Sequence, residues 1–473
     1  MSPTFKIAEI ELLEHPVVLR MPFRFGVVTL RRCHQATVRV RIETPEGRSS
    51  WGASAEMIVP KWFDKNPALS DEDNFNQERD VLHLARHAYL SDSHPATAFG
   101  HFARHHHAHL KVCATRGHNP LLANYGPALV DRAVIDALCR SLETGFYRAV
   151  QTNLLGLDAS MAEFDGMDWN HFLSDLHPAS QLHARHTVGM LDAIRTDELT
   201  EPVGDGLPES LEQVVRQYGH RYFKLKVGGQ LQADVERLTR IAEVLDTLPH
   251  DYHVSLDGNE QYPNAPALLE LLQAMRASPA LRRLNASILF IEQPVTRQHA
   301  LDTDLRHTDL GWPVIIDESD GELDAFVRAR ACGYSGISSK TCKGVYRSLL
   351  NAGRCAAWSQ QGPTRYFMSG EDLTVQAGLA LQQDLALVNI LGITHVERNG
   401  HHYVNGMASR PEHEQRAFLQ AHSDVYEHSH GATRLRIREG QLQVGSLDQI
   451  GFASGAMPDF SAMTPLIQPA REQ

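Results

Sequence analysis

No apolar stretch in this 473-residue sequence approaches the ~20 residues needed to cross a bilayer, and the first 18 residues show no basic region followed by an unbroken apolar run. Neither a membrane-spanning nor an exported chain is expected, and the protein is placed in the cytoplasm. Basic clusters are lacking too. The formal net charge is −12 at pH 7, and no lysine or arginine run is long enough to create a basic face, which argues against a nucleic-acid partner. The six cysteines (Cys33, Cys113, Cys139, Cys332, Cys342 and Cys355) contain no CxxC pair and read as reduced packing residues rather than a disulfide framework or a zinc site. No GxGxxG follows an apolar run, so the principal mark of a dinucleotide-binding fold is missing.

What is present is enough apolar material, 42% of the residues, to bury a large core divided over two or three domains. Residues 5–58 alternate apolar and polar positions, and a Pro-Glu-Gly turn at 45–47 marks a hairpin, so the chain opens with a small antiparallel sheet. From 60 to 124 the sequence is polar and reads as irregular. Helical spacing then runs from Val130 to Ala149. Histidine is abundant, with 27 copies, and five of them (His101, His105, His106, His107 and His109) fall in one tract. No acidic residue or cysteine stands beside the tract, so it reads as a solvated helix or loop face rather than a metal site.

From about Leu182 the texture changes to short apolar strands, each followed by an amphipathic stretch, the mark of repeated βα units. Eight strands are predicted: His183–Val188, Tyr222–Val227, His253–Asp257, Ile288–Glu292, Val314–Asp317, Gly336–Lys340, Tyr366–Ser369 and Thr394–Glu397. A closed (β/α)₈ barrel fits better than an open sheet. After it, residues 433–452 return to alternation around a Glu-Gly turn and are expected to rejoin the N-terminal domain. The expected domains are 1–150, an N-terminal α+β unit with a His-rich insertion at about 60–124; 180–410, the barrel; and 411–473, a returning C-terminal segment.

Barrel enzymes carry their reactive groups at strand C-termini, and five successive strands here end in charge. They end in Lys224-Leu-Lys226, Asp257-Gly-Asn259, Glu292-Gln-Pro, Asp317-Glu318-Ser and Lys340, with gaps of 31, 35, 25 and 23 residues from Lys226 onward. Three buried carboxylates on adjacent strands repel unless a cation sits among them. An all-oxygen donor set favours Mg²⁺, with Mn²⁺ able to substitute. Period-two geometry puts Lys224 and Lys226 on one side of their strand, where Lys224 and a divalent ion are expected to lower the pKa of Lys226 toward that of a useful base.

On these residues, and on PFRFG (22–26), WGASAE (51–56), FKLKVGG (223–229), SLDGNE (255–260), FIEQP (290–294) and IIDES (315–319), the sequence resembles the enolase superfamily. Within it, the likeness is to the muconate-lactonising subgroup of the mandelate racemase/muconate lactonising enzymes. The resemblance implies a modified barrel with an α+β capping domain whose two loops close over the substrate. It implies Asp257, Glu292 and Asp317 as metal ligands, with Glu318 competing for the third position and Asn259 supporting them. Lys226 and Lys340 would be the acid/base pair, assisted by Lys224. Arg24 and Phe25, with Phe23 and Trp51, would meet the far end of the substrate, and Glu397 would hold an amine or orient a base. Lys343 reads as a solvated loop lysine and His395 as a packing residue.

The implied reaction is removal of the proton α to a small-molecule carboxylate through an enediolate, giving racemisation, epimerisation or cycloisomerisation. Acid-sugar dehydration and a non-catalytic paralogue are the alternatives. By the same analogy a homo-oligomer is expected. The long stretches 60–124 and 150–180 are expected to cover the site or form an oligomer contact.

Overall fold

The computed structural model describes residues 2–26, 28–158, 161 and 167–469; within 150–180, residues 159, 160 and 162–166 therefore lie outside the described residues. The chain opens with three long antiparallel strands, β1 (Lys6–Phe25), β2 (Val28–Glu43) and β3 (Ser49–Ile58). The β2–β3 turn closes through Thr44 N–H to Arg48 O at 2.9 Å and Gly47 N–H to Thr44 O at 2.9 Å, with Gly47 at φ +81°. That left-handed conformation is one a glycine adopts without steric cost.

Against this sheet lies the helix Tyr125–Ser141, and its approach to β3 is closest at Gly52. A Cβ on Gly52 would stand 2.1 Å from Ala137 N and 2.3 Å from Ala133 O, both backbone atoms that cannot turn aside. Gly52→Ala is therefore expected to cost about 1–3 kcal/mol or more through overpacking, read as a lowered urea midpoint; an unchanged midpoint would mean that sheet and helix are not packed this tightly.

The stretch predicted to be irregular is instead mostly helical, with Asp71–Leu90 and Ala98–Thr115 as long helices. Each begins at a side-chain cap, Ser70 with a reciprocal Asp73 contact and Thr97 on Gly100 N–H. The apolar period is masked because the buried face of the first helix carries Asn74, Glu78 and Arg79 among Phe75, Val81 and Leu82. These polar groups are paired inside: Arg79 Nε donates to Glu14 at 3.0 Å. The histidine tract likewise departs from expectation. His101, His106 and His109 are buried, and the rings of His101 and His109 bond Phe5 O at 2.9 Å and Ala123 O at 2.8 Å, so these imidazoles tie helices to backbone.

The second unit is a closed barrel of eight parallel strands: β4 (Gln181–Val188), β5 (Tyr222–Lys226), β6 (His253–Asp257), β7 (Ile288–Glu292), β8 (Val314–Ile316), β9 (Gly336–Ser339), β10 (Phe367–Gly370) and β11 (His395–Glu397). Neighbours pair in chain order, and β11 returns to β4 through His395↔His183. Every predicted strand is present to within two residues. On the helix after β5, Leu238, Ile241, Ala242 and Leu245 are buried against the barrel wall, as the 3.6-residue spacing requires.

A small hairpin of β12 (Tyr426–Ser429) and β13 (Ala432–Leu435) follows. The next strand, β14 (Gln441–Gln443), differs from expectation: it pairs antiparallel with barrel strand β4, adding Leu442 to the buried core. Contact with the N-terminal unit includes Ile450 and Gly451, which bridge Gly145, Phe452, which stacks on Phe146 at 3.8 Å, and β15 (Thr464–Pro465), which pairs with Leu13 and Glu14 of β1. Among the described residues no helix is long and apolar enough to cross a membrane.

Candidate active site at the barrel mouth

The charged strand ends converge at the C-terminal end of the barrel. Asp257 and Lys226 end neighbouring strands in direct register, and Lys226 Nζ donates to Asp257 Oδ2 at 2.5 Å. Lys224, only 1% exposed, lies deeper. Its ammonium stands 2.9 Å from Asp257 Oδ2, 3.0 Å from Glu292 Oε1, 2.7 Å from Glu371 Oε2 and 3.1 Å from Glu397 Oε2. Across the barrel, Lys340 Nζ donates to Asp317 Oδ2 at 2.7 Å.

A cavity of about 20 Å³ lies above these groups, lined by Lys224, Lys226, Asp257, Asn259, Lys340 and Glu397 and roofed by Phe23, Phe25 and Trp62. That volume holds about one water molecule, so a substrate requires the roof to move.

Arg24, Trp51 and Glu318 fall outside this cavity. Arg24 is exposed and contributes its carbonyl, which accepts from Met190 N–H at 3.1 Å. Trp51 lies on the sheet, with the Arg39 guanidinium 4.5 Å over its ring. The tryptophan at the site is Trp62, whose ring centre is 4.2 Å from Lys340 Nζ. Its segment is latched to the barrel. Arg297 donates to Trp62 O at 2.8 Å and Phe63 O at 2.7 Å, and Lys65 contacts Glu260 at 2.5 Å and Glu318 at 3.1 Å. Glu318 is thus turned toward Lys65 and Asn259, away from Asp317's partners.

Lys343, read from sequence as a solvated lysine, is 2% exposed and faces Asp320 at 2.9 Å and Ser338 Oγ at 2.9 Å. The 3₁₀ turn Thr341–Lys343 folds it back over the strand end, a local reversal that strand periodicity does not reveal. Sequence reading also passed over Glu371 and Asp372 after β10, although the strand-end rule applied to the seventh strand would have found them. Glu371 is gripped by Arg185 of β4 as well as by Lys224. Asp372 lines the cavity, and its pKa is raised to about 6, chiefly by burial. His395 sits at the opposite end of the barrel wall, stacked on Tyr222 at 4.6 Å.

Burial alone would push the Lys340 ammonium down, but the Asp317 carboxylate outweighs it and holds the pKa above the usual lysine range. For Lys224, burial is likewise outweighed by Asp257, Glu292, Glu371 and Glu397. Neither of these lysines has the lowered pKa of a poised base, because carboxylates surround them.

Glu292 shows the converse: burial, with the charges of Asp257 and Glu371, pushes its carboxyl well up. Its Oε2 has the Lys224 ammonium 2.9 Å away but lacks hydrogen-bond geometry, and the buried Asn259 Oδ1 is also without a partner. A buried, all-oxygen donor set short of positive charge fits a hard divalent cation. Among the described residues no three His, Cys, Asp or Glu side chains converge on one point as they stand; Asp257, Glu292 and Asp317 each face a lysine instead.

A family model described as Enolase C-terminal domain-like matches residues 206–447. A curated N-succinyl-L-Arg/Lys racemase of Bacillus cereus is 30% identical over 138 residues, covering 28% of this chain and 34% of that protein, so the match spans about a third of the relative's length. Among solved structures, a dipeptide epimerase from Enterococcus faecalis, complexed with Mg and the dipeptide L-Leu-L-Tyr, superposes with a TM-score of 0.61 at 16% identity, covering 95% of this chain and 99% of that one. A muconate lactonizing enzyme from Pseudomonas fluorescens, complexed with muconolactone, gives 0.61 at 16% identity, covering 97% and 98%. At such identities the likeness is one of fold.

Proposed function

The chain belongs to the enolase C-terminal domain-like family, and from that premise we propose that it removes and returns the proton α to a substrate carboxylate, inverting the stereocentre by racemisation or epimerisation. One observation carries this reading above others. Lys226 at the end of β5 and Lys340 just after β9, strands four places apart in an eight-stranded barrel, line one cavity from opposite walls.

An α-carbon held between them has one amine on each face. On one face the free amine of a lysine takes the proton and the C–H electron pair moves into the carboxylate. On the other face the opposing ammonium delivers a proton to the same carbon. A divalent ion, Mg²⁺ by its donor set, would be held by Asp257, Glu292 and Asp317 and would supply positive charge against the negative charge developing on the substrate oxygens. Lys224 neutralises the inner carboxylates, while Phe23, Phe25 and Trp62 exclude water. The same reading takes a small-molecule carboxylate as partner, a cytoplasmic homo-oligomer as the working form, and residues 1–150, 180–410 and 411–473 as the functional divisions.

The test is loss of the α-proton signal in deuterium oxide, followed by NMR. The panel holds N-succinyl-L-arginine, N-succinyl-L-lysine, dipeptides and muconolactone, with protein, Mg²⁺ and a chelated control. Exchange that needs Mg²⁺ and disappears on chelation is expected. An inert wild-type protein across this panel would remove the proposal.

A further inference from the structure

Asp317 is held on both sides by groups from the segment that follows β8. Lys340 Nζ occupies Oδ2 at 2.7 Å, and the Ser338 hydroxyl donates to Oδ1. Ser338 and Lys340 are two residues apart on β9 and its extension, so both side chains point to the barrel interior beside the end of β8. Ser338 Oγ is itself within 2.9 Å of Lys343 Nζ. An ammonium can only donate, so the serine oxygen accepts there and its single proton is left for Asp317. The direction of that hydrogen bond is fixed by chemistry, not by the choice of rotamer.

Lys343 is held in turn by Asp320 Oδ2 at 2.9 Å, and Asp320 by the Arg347 guanidinium, whose Nη1 stands 3.5 Å from Oδ1. The ammonium of Lys343 is 3.7 Å from Asp317 Oδ1, close enough to attract but outside hydrogen-bond reach. Gly344, at φ +110°, lets the chain leave the 3₁₀ turn and start the helix Val345–Ser359 while the Lys343 side chain stays folded inward.

We propose that Lys343, acting through Ser338, is a positioning residue that fixes the orientation of the Asp317 carboxylate for divalent-cation binding. This rests on the proposed role of Asp317 as a metal ligand. A ligating carboxylate held by an outer hydrogen bond presents its free lone pairs in one direction, and loss of such a partner commonly weakens metal affinity 10–100-fold. The Ser338 contact that holds Oδ1 is in place before any ion arrives, while Oδ2 faces Lys340.

The test measures Mg²⁺ dissociation constants by titration calorimetry on metal-stripped wild type, Ser338→Ala, Lys343→Met and Ser338→Thr, with urea midpoints taken on the same samples. Ser338→Ala keeps both lysines and the Lys343–Asp320 pair, and removes only the relay. Affinity is expected to fall about 10–100-fold in Ser338→Ala and Lys343→Met, and to recover in Ser338→Thr, which restores the hydroxyl. A merely structural role would lower the urea midpoint and leave affinity alone. Mg²⁺ affinity within about twofold of wild type in folded Ser338→Ala would overturn the inference, as would a wild type that binds no Mg²⁺. Should the affinities shift as expected while no panel compound exchanges its proton, the relay stands and the proposed reaction falls.

Discussion

Lys226→Ala and Lys340→Ala are each expected to slow interconversion of substrate stereoisomers about 10²–10⁴-fold, the usual contribution of a positioned acid or base. The more informative result is their difference. With amines on opposite faces, each variant keeps one base. Each should still exchange the α-proton of the stereoisomer whose C–H points at the surviving lysine, and should fail on the other.

The two variants should therefore show opposite preferences when single stereoisomers are followed by NMR in deuterium oxide. Retention of exchange on the same stereoisomer in both would rule out the two-wall arrangement. Neither substitution should unfold the protein. Asp257 keeps Lys224 at 2.9 Å when Lys226 is lost, and Asp317 keeps Ser338 and Lys343 when Lys340 is lost.

Lys224→Met should behave in the reverse manner, with stability as its main effect. Its ammonium touches four buried carboxylates carried at or just after the ends of four strands, and removing the cation leaves them facing one another. Breaking a buried ionic cluster by deleting one partner costs about 3–5 kcal/mol, which should appear as a large fall in the urea midpoint at neutral pH.

The pH dependence supplies a check. Burial would raise the carboxyl of Glu397, but Lys224, with Lys226 and Lys340, overrides it and holds the pKa well below the ordinary range. A depressed carboxyl stabilises the wild type above its unfolded pKa of about 4.3, and that stability is lost only as pH falls toward the folded value. In the variant the largest part of this contribution, that of Lys224, is gone, so the difference between the proteins should be widest near pH 7 and should narrow on acidification. A difference that does not depend on pH would mean that the side chain's volume matters more than its charge.

The barrel and its charged mouth were legible because strand ends obey a local rule: a short strand, then a charged residue, then a turn. Lys226, Asp257, Glu292, Asp317 and Lys340 all follow it, and the structure brings them to one end of the barrel. What escaped reading depends on distant partners. Glu78 and Arg79 look solvated in sequence, yet they lie on a helix face whose acceptors and donors are supplied by β1 and by the Val59 amide. Trp62, not Trp51, reaches the site, because two indoles 11 residues apart on a strand and the loop after it do not reveal in sequence which one turns inward. Lys343 was misread because a 3₁₀ turn reverses the chain within three residues. The destination of β14 was misread because alternation predicts a strand but not the sheet edge that receives it.

The pairing of β15 with β1 has a kinetic consequence. Thr464 Oγ1 bonds Glu14 O across 450 residues, and Ile467 N–H bonds the Glu14 side chain across 453. During synthesis β1 emerges early, and its outer edge at Leu13 and Glu14 stays open until the segment near residue 464 has left the ribosome. Strand edges left open in this way invite wrong pairing, and contacts so far apart in sequence form slowly. The order of assembly thus runs against the order of translation: the barrel, whose neighbouring strands lie tens of residues apart, can close first and carry the final strand back to a sheet that has been waiting for it.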